Sequence, residues 1–68
     1  MKLKMRQYKV TFHLYSYDEA DKAISEEVSF EVPAINSKEA EKKASIMGQI
    51  ACQQRNSASF ECVSIEEI

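Results

Sequence analysis

The chain contains 68 residues, of which 44% are hydrophobic and 29% charged, and its formal net charge is −2 at pH 7. This length predicts a single domain that spans residues 1–68. A domain of this size buries only about 60% of the surface that its unfolded chain exposes, so we expect marginal stability that self-association would increase.

Composition excludes several classes of protein. No segment approaches the run of about 18 apolar residues that a membrane helix needs, and no apolar run follows the basic residues 1–6 as it would in a signal peptide. Cys52, Cys62 and His13 are too few for a structural zinc site without carboxylate ligands. A single glycine excludes a glycine-rich phosphate loop. We therefore expect a soluble, cytoplasmic protein with reduced thiols and no cofactor.

Basic and acidic residues are unevenly distributed along the chain. Residues 18–31 carry six acids and one lysine, whereas four of the nine basic residues lie within the first ten positions, namely Lys2, Lys4, Arg6 and Lys9. We interpret residues 1–5 as a solvated basic N-terminal arm. A protein that binds duplex nucleic acid usually concentrates Lys and Arg on one face or helix, so this distribution disfavours such a function.

Residues 7–17 alternate apolar and polar side chains without glycine or proline, which predicts a β-strand with one buried face. The predicted core face consists of Tyr8, Val10, Phe12 and Leu14. The opposite face carries Lys9, Thr11, His13, Tyr15 and Tyr17. Residues 18–22 favour a turn but contain no Asn-Gly or Asp-Gly pair, so we expect a hairpin loop longer than two residues.

Alternation resumes in a second strand, which we expect to pair antiparallel with the first. Its predicted core-facing residues are Ile24, Val28, Phe30 and Val32, and its other face carries Glu27, Ser29 and Glu31. Pro33 is expected to end this strand, because proline cannot donate to the hydrogen-bond ladder.

A helix is predicted from Ser37 to about Arg55. Asn36 is its expected N-cap, and Asn56 is its expected left-handed stop. The apolar stripe, which is rich in small residues and can therefore lie close to a sheet, consists of Ala40, Ala44, Met47 and Ala51. Ile46 and Ile50 lie off this stripe and either widen the buried face or stay exposed. Gly48 in mid-helix favours close packing within the domain over close approach of a partner.

Residues 60–65 predict a third strand whose register stays open. Phe60 and Cys62 share one parity, and Val63 and Ile65 share the other. Either a β-bulge near Cys62 and Val63 turns both pairs inward, or Phe60 or Cys62 faces outward. The order β-β-α-β with a right-handed crossover gives the sheet order 2-1-3. We therefore predict an α+β fold: a three-stranded antiparallel sheet with one helix packed on one face.

The uncovered face of this sheet is the predicted binding site. Its residues are Lys9, Thr11, His13, Tyr15, Tyr17, Glu27, Ser29 and Glu31. Aromatic side chains ringed by charged groups are common where proteins meet. Catalysis would need a pocket, which a sheet with one bare face does not supply, and neither cysteine stands in a C-x-x-C motif. We expect no catalytic residue, no metal site and no enzymatic activity.

The run Glu-Val-Pro-Ala-Ile-Asn-Ser-Lys-Glu-Ala at residues 31–40, with the closing Ser-Ile-Glu-Glu-Ile at residues 64–68, resembles the archaeal large-subunit ribosomal protein family LX. The resemblance covers residues 31–68 and implies a strand, an Asn-capped helix and an acidic-aliphatic ending. That family carries basic residues after the helix, where this chain has Asn-Ser-Ala-Ser, so no ribosomal role and no binding residue is carried over. In size the chain is also similar to small phage proteins that bind and block host factors.

These observations predict a non-enzymatic, homodimeric protein-interaction module that acts as an adaptor or as an inhibitor of a partner protein. The alternative is a single-stranded RNA or ribosome-associated binder that uses Tyr15 together with the basic residues Lys2, Lys4, Arg6 and Lys9. The acidic second strand and the absence of a glycine-aromatic ribonucleoprotein motif disfavour RNA. Self-association through the sheet face, a strand edge or the helix flank at Ile46 and Ile50 stays open.

Overall fold

The computed structural model describes residues 4–68, which form three strands and one helix in the order β1, β2, α1, β3. The elements are β1 at Arg6–Tyr17, β2 at Ala23–Ala34, α1 at Ser37–Gln54 and β3 at Ser59–Glu67. The strands form one antiparallel sheet in the order β2-β1-β3, and α1 packs on one of its faces, which confirms the predicted α+β fold. Of the predicted basic arm, residues 1–3 lie outside the described residues, and Lys4 and Met5 are exposed ahead of β1.

The core lies between the central strand β1 and the helix. Four alternate residues of β1 are buried as predicted: Tyr8, Val10, Phe12 and Leu14. The helix faces them with small residues, namely Ala40, Ala44, Gly48 and Ala51. Because these side chains are small, aromatic rings from the sheet fill the space beneath the helix. The Phe12 ring lies 6.0 Å from that of Phe30 and 5.9 Å from that of Phe60, measured between centroids.

Both ends of the helix are set by residues that the sequence predicts. Asn36 has an extended backbone, and its side-chain oxygen accepts a hydrogen bond from the Glu39 N–H at 2.8 Å. This contact supplies a partner for one of the free N–H groups of the first turn. After Arg55, which caps the C-terminal end, Asn56 has a φ of 52° and turns the chain away from the helix axis.

The loop between β1 and β2 is organised by one carboxylate. Asp18 Oδ1 accepts hydrogen bonds from the N–H groups of Ala20 and Lys22 at 2.8 and 2.9 Å. Asp21 adopts a φ of 59°, a left-handed conformation that aspartate tolerates. The prediction of a loop longer than two residues is confirmed.

A β-bulge in β3 decides the register that the sequence leaves open. Thr11 pairs with Ser64, while the next residue, Phe12, pairs with Cys62, so Val63 has no partner in β1. As a result, three residues of β3 pack against the core: Phe60, Cys62 and Ile65. Val63 is 44% exposed.

The second strand differs from its prediction at both ends. It continues through Pro33 to Ala34 rather than ending at Pro33. The Gln7 carbonyl accepts from Ile68 N–H and so points toward β3, which means that its partner Pro33 is not required to donate toward β1. Ile24 is exposed rather than buried, because it lies near the hairpin tip, beyond the C-terminal end of the helix.

The predicted helix stripe is wrong at one position. Met47 is 39% exposed on the flank of the helix, and Gly48 faces the sheet instead. The buried spacing is four residues from Ala44 to Gly48, so Met47 falls on the flank of the helix. Ile46 and Ile50 are also exposed, which settles the alternative that the sequence leaves open in favour of exposure.

Candidate interaction face

The sheet face opposite the helix, hereafter the open face, is built from four rows of residues that cross all three strands. Each row has its central residue in β1 and one neighbour in each outer strand. The rows are Ser25–Tyr15–Ser59, Glu27–His13–Glu61, Ser29–Thr11–Ser64 and Glu31–Lys9–Glu66, and Tyr17 follows at the hairpin tip.

The bulge at Val63 is what brings both glutamates of β3 to this face. Glu61 and Glu66 are separated by an odd number of positions, so a regular strand would place them on opposite faces. The extra residue at Val63 resets the alternation between them. Sequence reasoning missed these two glutamates, although the bulge that it considered would have placed both beside the predicted face.

Tyr15 and His13 each contact a glutamate of a neighbouring strand. The Tyr15 hydroxyl donates a hydrogen bond to Glu61 Oε2 at 3.0 Å, and His13 Nε2 lies 3.4 Å from Glu27 Oε2. The two rings meet edge to face, with centroids 6.3 Å apart. The hydrogen bond to Glu61 raises the pKa of Tyr15 above its ordinary value, and partial burial and the negative charge of Glu61 act in the same direction.

The predicted binding residues differ in their accessibility. Thr11 is only 7% exposed, and its hydroxyl oxygen lies 3.0 Å from that of Ser29. Thr11 therefore joins β1 to β2 and offers little surface to a partner. Tyr17 is 67% exposed, and the remaining predicted residues are half-buried or exposed, namely Lys9, His13, Tyr15, Glu27, Ser29 and Glu31.

The open face is acidic. Lys9 lies between Glu31 and Glu66, and His13 lies between two further glutamates in the same way. Neighbouring strands are about 4.8 Å apart, so each basic side chain has two carboxylates within reach. Acids outnumber bases on this face, which gives it a negative potential that repels phosphate groups.

Two of the residues that an RNA-binding role would use already contact glutamates of β3. Arg6 Nη1 lies 2.9 Å from Glu67 Oε1, and this hydrogen bond, with the charge of Glu67, raises the pKa of Arg6. The Tyr15 hydroxyl is held by Glu61. Lys2 lies outside the described residues.

Other concave regions of the described chain are shallow. A groove of about 370 Å³ lies between β2 and the helix, and it is lined by Phe30, Met47, Ile50, Ala51, Gln54 and Arg55. Within residues 4–68, no three His, Cys, Asp or Glu side chains are grouped so that they could hold a metal ion. In that same range, no helix is long and apolar enough to cross a membrane.

The two cysteines are not joined to each other. The Cys52 thiol donates to the Ser57 carbonyl at 3.3 Å behind the helix end. Burial raises the pKa of the Cys62 thiol, and the nearby charge of Glu41 adds to this effect. The environment of Cys62 therefore disfavours the thiolate form that a nucleophilic cysteine needs.

Comparison of the chain with protein-family models, with curated proteins and with solved structures finds no match.

Proposed function

We propose that this protein is a non-enzymatic interaction module that binds a partner protein through its open face, as an adaptor or as an inhibitor. The observation that carries this proposal is a sheet face left uncovered by the helix, on which Lys9 and His13 of β1 each stand between two glutamates, with Tyr15 and Tyr17 following along the same strand. We also propose a cytoplasmic location, because free thiols stay reduced in the cytoplasm.

Charge defines the class of partner. With Glu27, Glu31, Glu61 and Glu66 surrounding Lys9 and His13, the face complements a protein surface rich in Lys or Arg. Tyr15 and Tyr17 add apolar area with polar tips, which suits a protein contact. Within residues 4–68, Arg6 and Lys9 stand beside glutamates, which counts against the RNA-binding alternative.

The test compares two double variants that change net charge equally. Glu27→Lys with Glu61→Lys reverses the centre of the open face, whereas Glu19→Lys with Glu41→Lys places the same charges on the hairpin loop and the helix. Each protein is immobilised and used to capture binders from native lysate at several salt concentrations. We expect a protein that wild type and the loop-and-helix variant retain and that the open-face variant loses, with capture weakening as salt rises.

Two results would overturn this function. Equal capture by both double variants would place binding elsewhere on the molecule. A gel shift of mixed single-stranded oligonucleotides by wild type at low salt would favour the RNA-binding alternative, since such binding depends strongly on phosphate contacts. Circular dichroism of both variants confirms that the comparison is made between folded proteins.

A further inference from the structure

Within residues 4–68, the backbone groups at the outer edge of β2 pair with no other strand. The carbonyls of Gln7 and Tyr15 accept from Ile68 and Ala58, so the odd-numbered residues of β1 direct their backbone groups toward β3 and the even-numbered ones toward β2. The even-numbered residues of β2 are their partners. The residues of β2 whose N–H and C=O groups point away from the sheet are therefore Ala23, Ser25, Glu27, Ser29 and Glu31.

Apolar side chains lie directly beside this edge. Phe30 of β2 and Met47 and Ile50 of the helix line the groove between the two elements, and Ile50 is 49% exposed. The opposite edge, β3, is interrupted by the bulge at Val63, a device that hinders edge-to-edge pairing. The β2 side of the molecule thus combines a regular free edge with an apolar flank.

The exposed area is larger than a monomer of this mass usually shows. The molecule exposes 5166 Å². A compact monomer of 7.8 kDa would expose about 4,400 Å² by the usual scaling of surface with mass. The surplus of roughly 800 Å² matches the area that each partner buries in an interface of standard size.

We propose that two copies of this chain associate through their β2 edges, antiparallel and centred on Val28, to form a continuous six-stranded sheet. Charge favours this register over the two adjacent ones. Centring on Glu27 would place the two Glu27 side chains opposite each other, and centring on Ser29 would oppose Glu27 to Glu31 of the second copy. Centring on Val28 sets Glu27 opposite Ser29 and Glu31 opposite Ser25.

The same register brings the apolar flanks together. A two-fold axis perpendicular to the sheet keeps both helices on one side, and three strand spacings of about 4.8 Å separate the two β1 strands by roughly 14 Å. Met47 and Ile50 of both copies fill the space between the helices. On the other side, the two open faces join into one larger acidic surface. This association uses the backbone edge of β2, whereas the partner contact uses side chains of the open face, so each can be tested without the other.

Ile50 and Ile46 provide a matched pair of test variants. Both are exposed isoleucines of the same helix, but only Ile50 lines the groove beside β2. Sedimentation equilibrium over a concentration series should show a dimer for wild type and for Ile46→Lys. Ile50→Lys should raise the dimer Kd at least tenfold, a loss of about 1.4 kcal/mol or more. Ser25→Pro, which removes an outward N–H, should weaken the dimer while circular dichroism stays unchanged.

Cross-linking tests the register. Val28→Cys lies on the proposed axis in a pair without hydrogen bonds, where Cα atoms are about 4.5 Å apart, so oxidation should give a covalent dimer. Glu26→Cys is the control, because in this register the two copies of residue 26 are not opposite each other and lie too far apart to cross-link. A monomer at all concentrations, equal dimerisation of the two Ile→Lys variants, or cross-linking of Glu26→Cys in place of Val28→Cys would overturn the proposed dimer.

Discussion

At the scale of single residues, the Tyr15–Glu61 contact gives a direct spectroscopic prediction. The hydrogen bond to Glu61 raises the pKa of Tyr15, so Glu61→Gln should lower that pKa toward its ordinary value near 10.0. Glu27→Gln removes the same charge on the other side of β1 and makes no contact with this hydroxyl, so the Tyr15 pKa should change much less. NMR titration of the tyrosine rings between neutral and alkaline pH measures both variants.

The same pair makes stability depend on alkaline pH. The folded-state pKa of Tyr15 lies above that of an unfolded tyrosine, so the folded protein holds this proton more tightly. The stabilising contribution is therefore complete below the unfolded pKa and is lost as pH rises through the folded pKa. Urea unfolding of wild type and Tyr15→Phe should show a difference that shrinks across that range. A difference that does not vary with pH would contradict this assignment.

Gly48 is a second residue with a measurable role. A Cβ at this position would lie 3.3 Å from Phe12 Cε1 and 3.3 Å from Phe60 Cδ2. Alanine gains about 1 kcal/mol in helix propensity, but overpacking a core costs about 1–3 kcal/mol. Because Phe12 is fully buried and its ring has little room to shift, we expect Gly48→Ala to lower the free energy of unfolding by about 1 kcal/mol.

A double-mutant cycle separates these two effects. Phe60→Leu removes one of the two rings, so Gly48→Ala should be less destabilising in that background than in wild type. Gln49→Ala, at an exposed position of the same helix, should change stability by less than about 0.5 kcal/mol. Equal effects of Gly48→Ala in both backgrounds would mean that contact with Phe60 is not the cause.

Residues whose role is local could be predicted from the sequence. Asn36 caps the helix through its own neighbours, and Asn56 ends it through its own backbone conformation, so both follow from the adjacent residues. Thr11 and Met47 could not be judged in this way. The burial of Thr11 depends on Ser29 in another strand, and the exposure of Met47 depends on how the helix is rotated over the sheet.

At the scale of elements, the bulge in β3 predicts that one residue can be removed without loss of the fold. Deleting Val63 would join Cys62 directly to Ser64, and both would keep their partners Phe12 and Thr11. The alternation of β3 would become regular, with Ile65 still facing the core. We expect the free energy of unfolding to change by no more than about 1 kcal/mol, because the lost side chain is nearly half exposed.

A deletion in a strand without a bulge is the control. Removing Ser29 from β2 would shift the residues on one side of it by one position, so Phe30 and Val28 could not both face the helix. This variant should lose most of its cooperative unfolding transition in urea. If the Val63 deletion unfolded the protein as fully as the Ser29 deletion, the bulge would be required for the fold.

The bulge in β3 is the feature of the sheet that the sequence alone could not predict. The alternation along β1 allowed the order and pairing of the strands to be predicted, since one face of this strand is apolar and buried from Tyr8 to Leu14. In β3 the parity of apolar residues changes between Cys62 and Ile65, and two registers fit it equally well. The choice depends on the rings of Phe12 and Phe60, which meet only in the folded molecule.

At the scale of the whole molecule, the unequal lengths of the elements explain which parts stay uncovered. The helix has 18 residues and the hairpin strands have 12 each. At their usual rises these elements are about 27 Å and about 40 Å long, so the hairpin tip extends past the helix end. Tyr17 and Ile24 are exposed there. The core contains few large side chains and several alanines. The stability of the fold therefore depends on the sheet, including its two edge strands.

Hydrogen exchange of one set of β2 amides can test both the hairpin register and the proposed dimer. In a monomer, the N–H groups of Val28 and Phe30 are bonded to β1 and should exchange slowly, whereas those of Glu27 and Ser29 point outward and should exchange quickly. This alternation follows from the hairpin register alone. Amide-resolved exchange measured by NMR on dilute Ile50→Lys protein isolates the monomer pattern.

Concentrated wild-type protein should then lose the alternation in the middle of β2. In the register centred on Val28, the outward N–H groups of Glu27 and Ser29 pair with the second copy and become protected, while Ile50→Lys keeps fast exchange at these positions. Alternation that persists in concentrated wild type would show that any dimer uses another surface. Absence of alternation in the Ile50→Lys monomer would instead contradict the hairpin register, so the two structural claims are tested separately by the same amides.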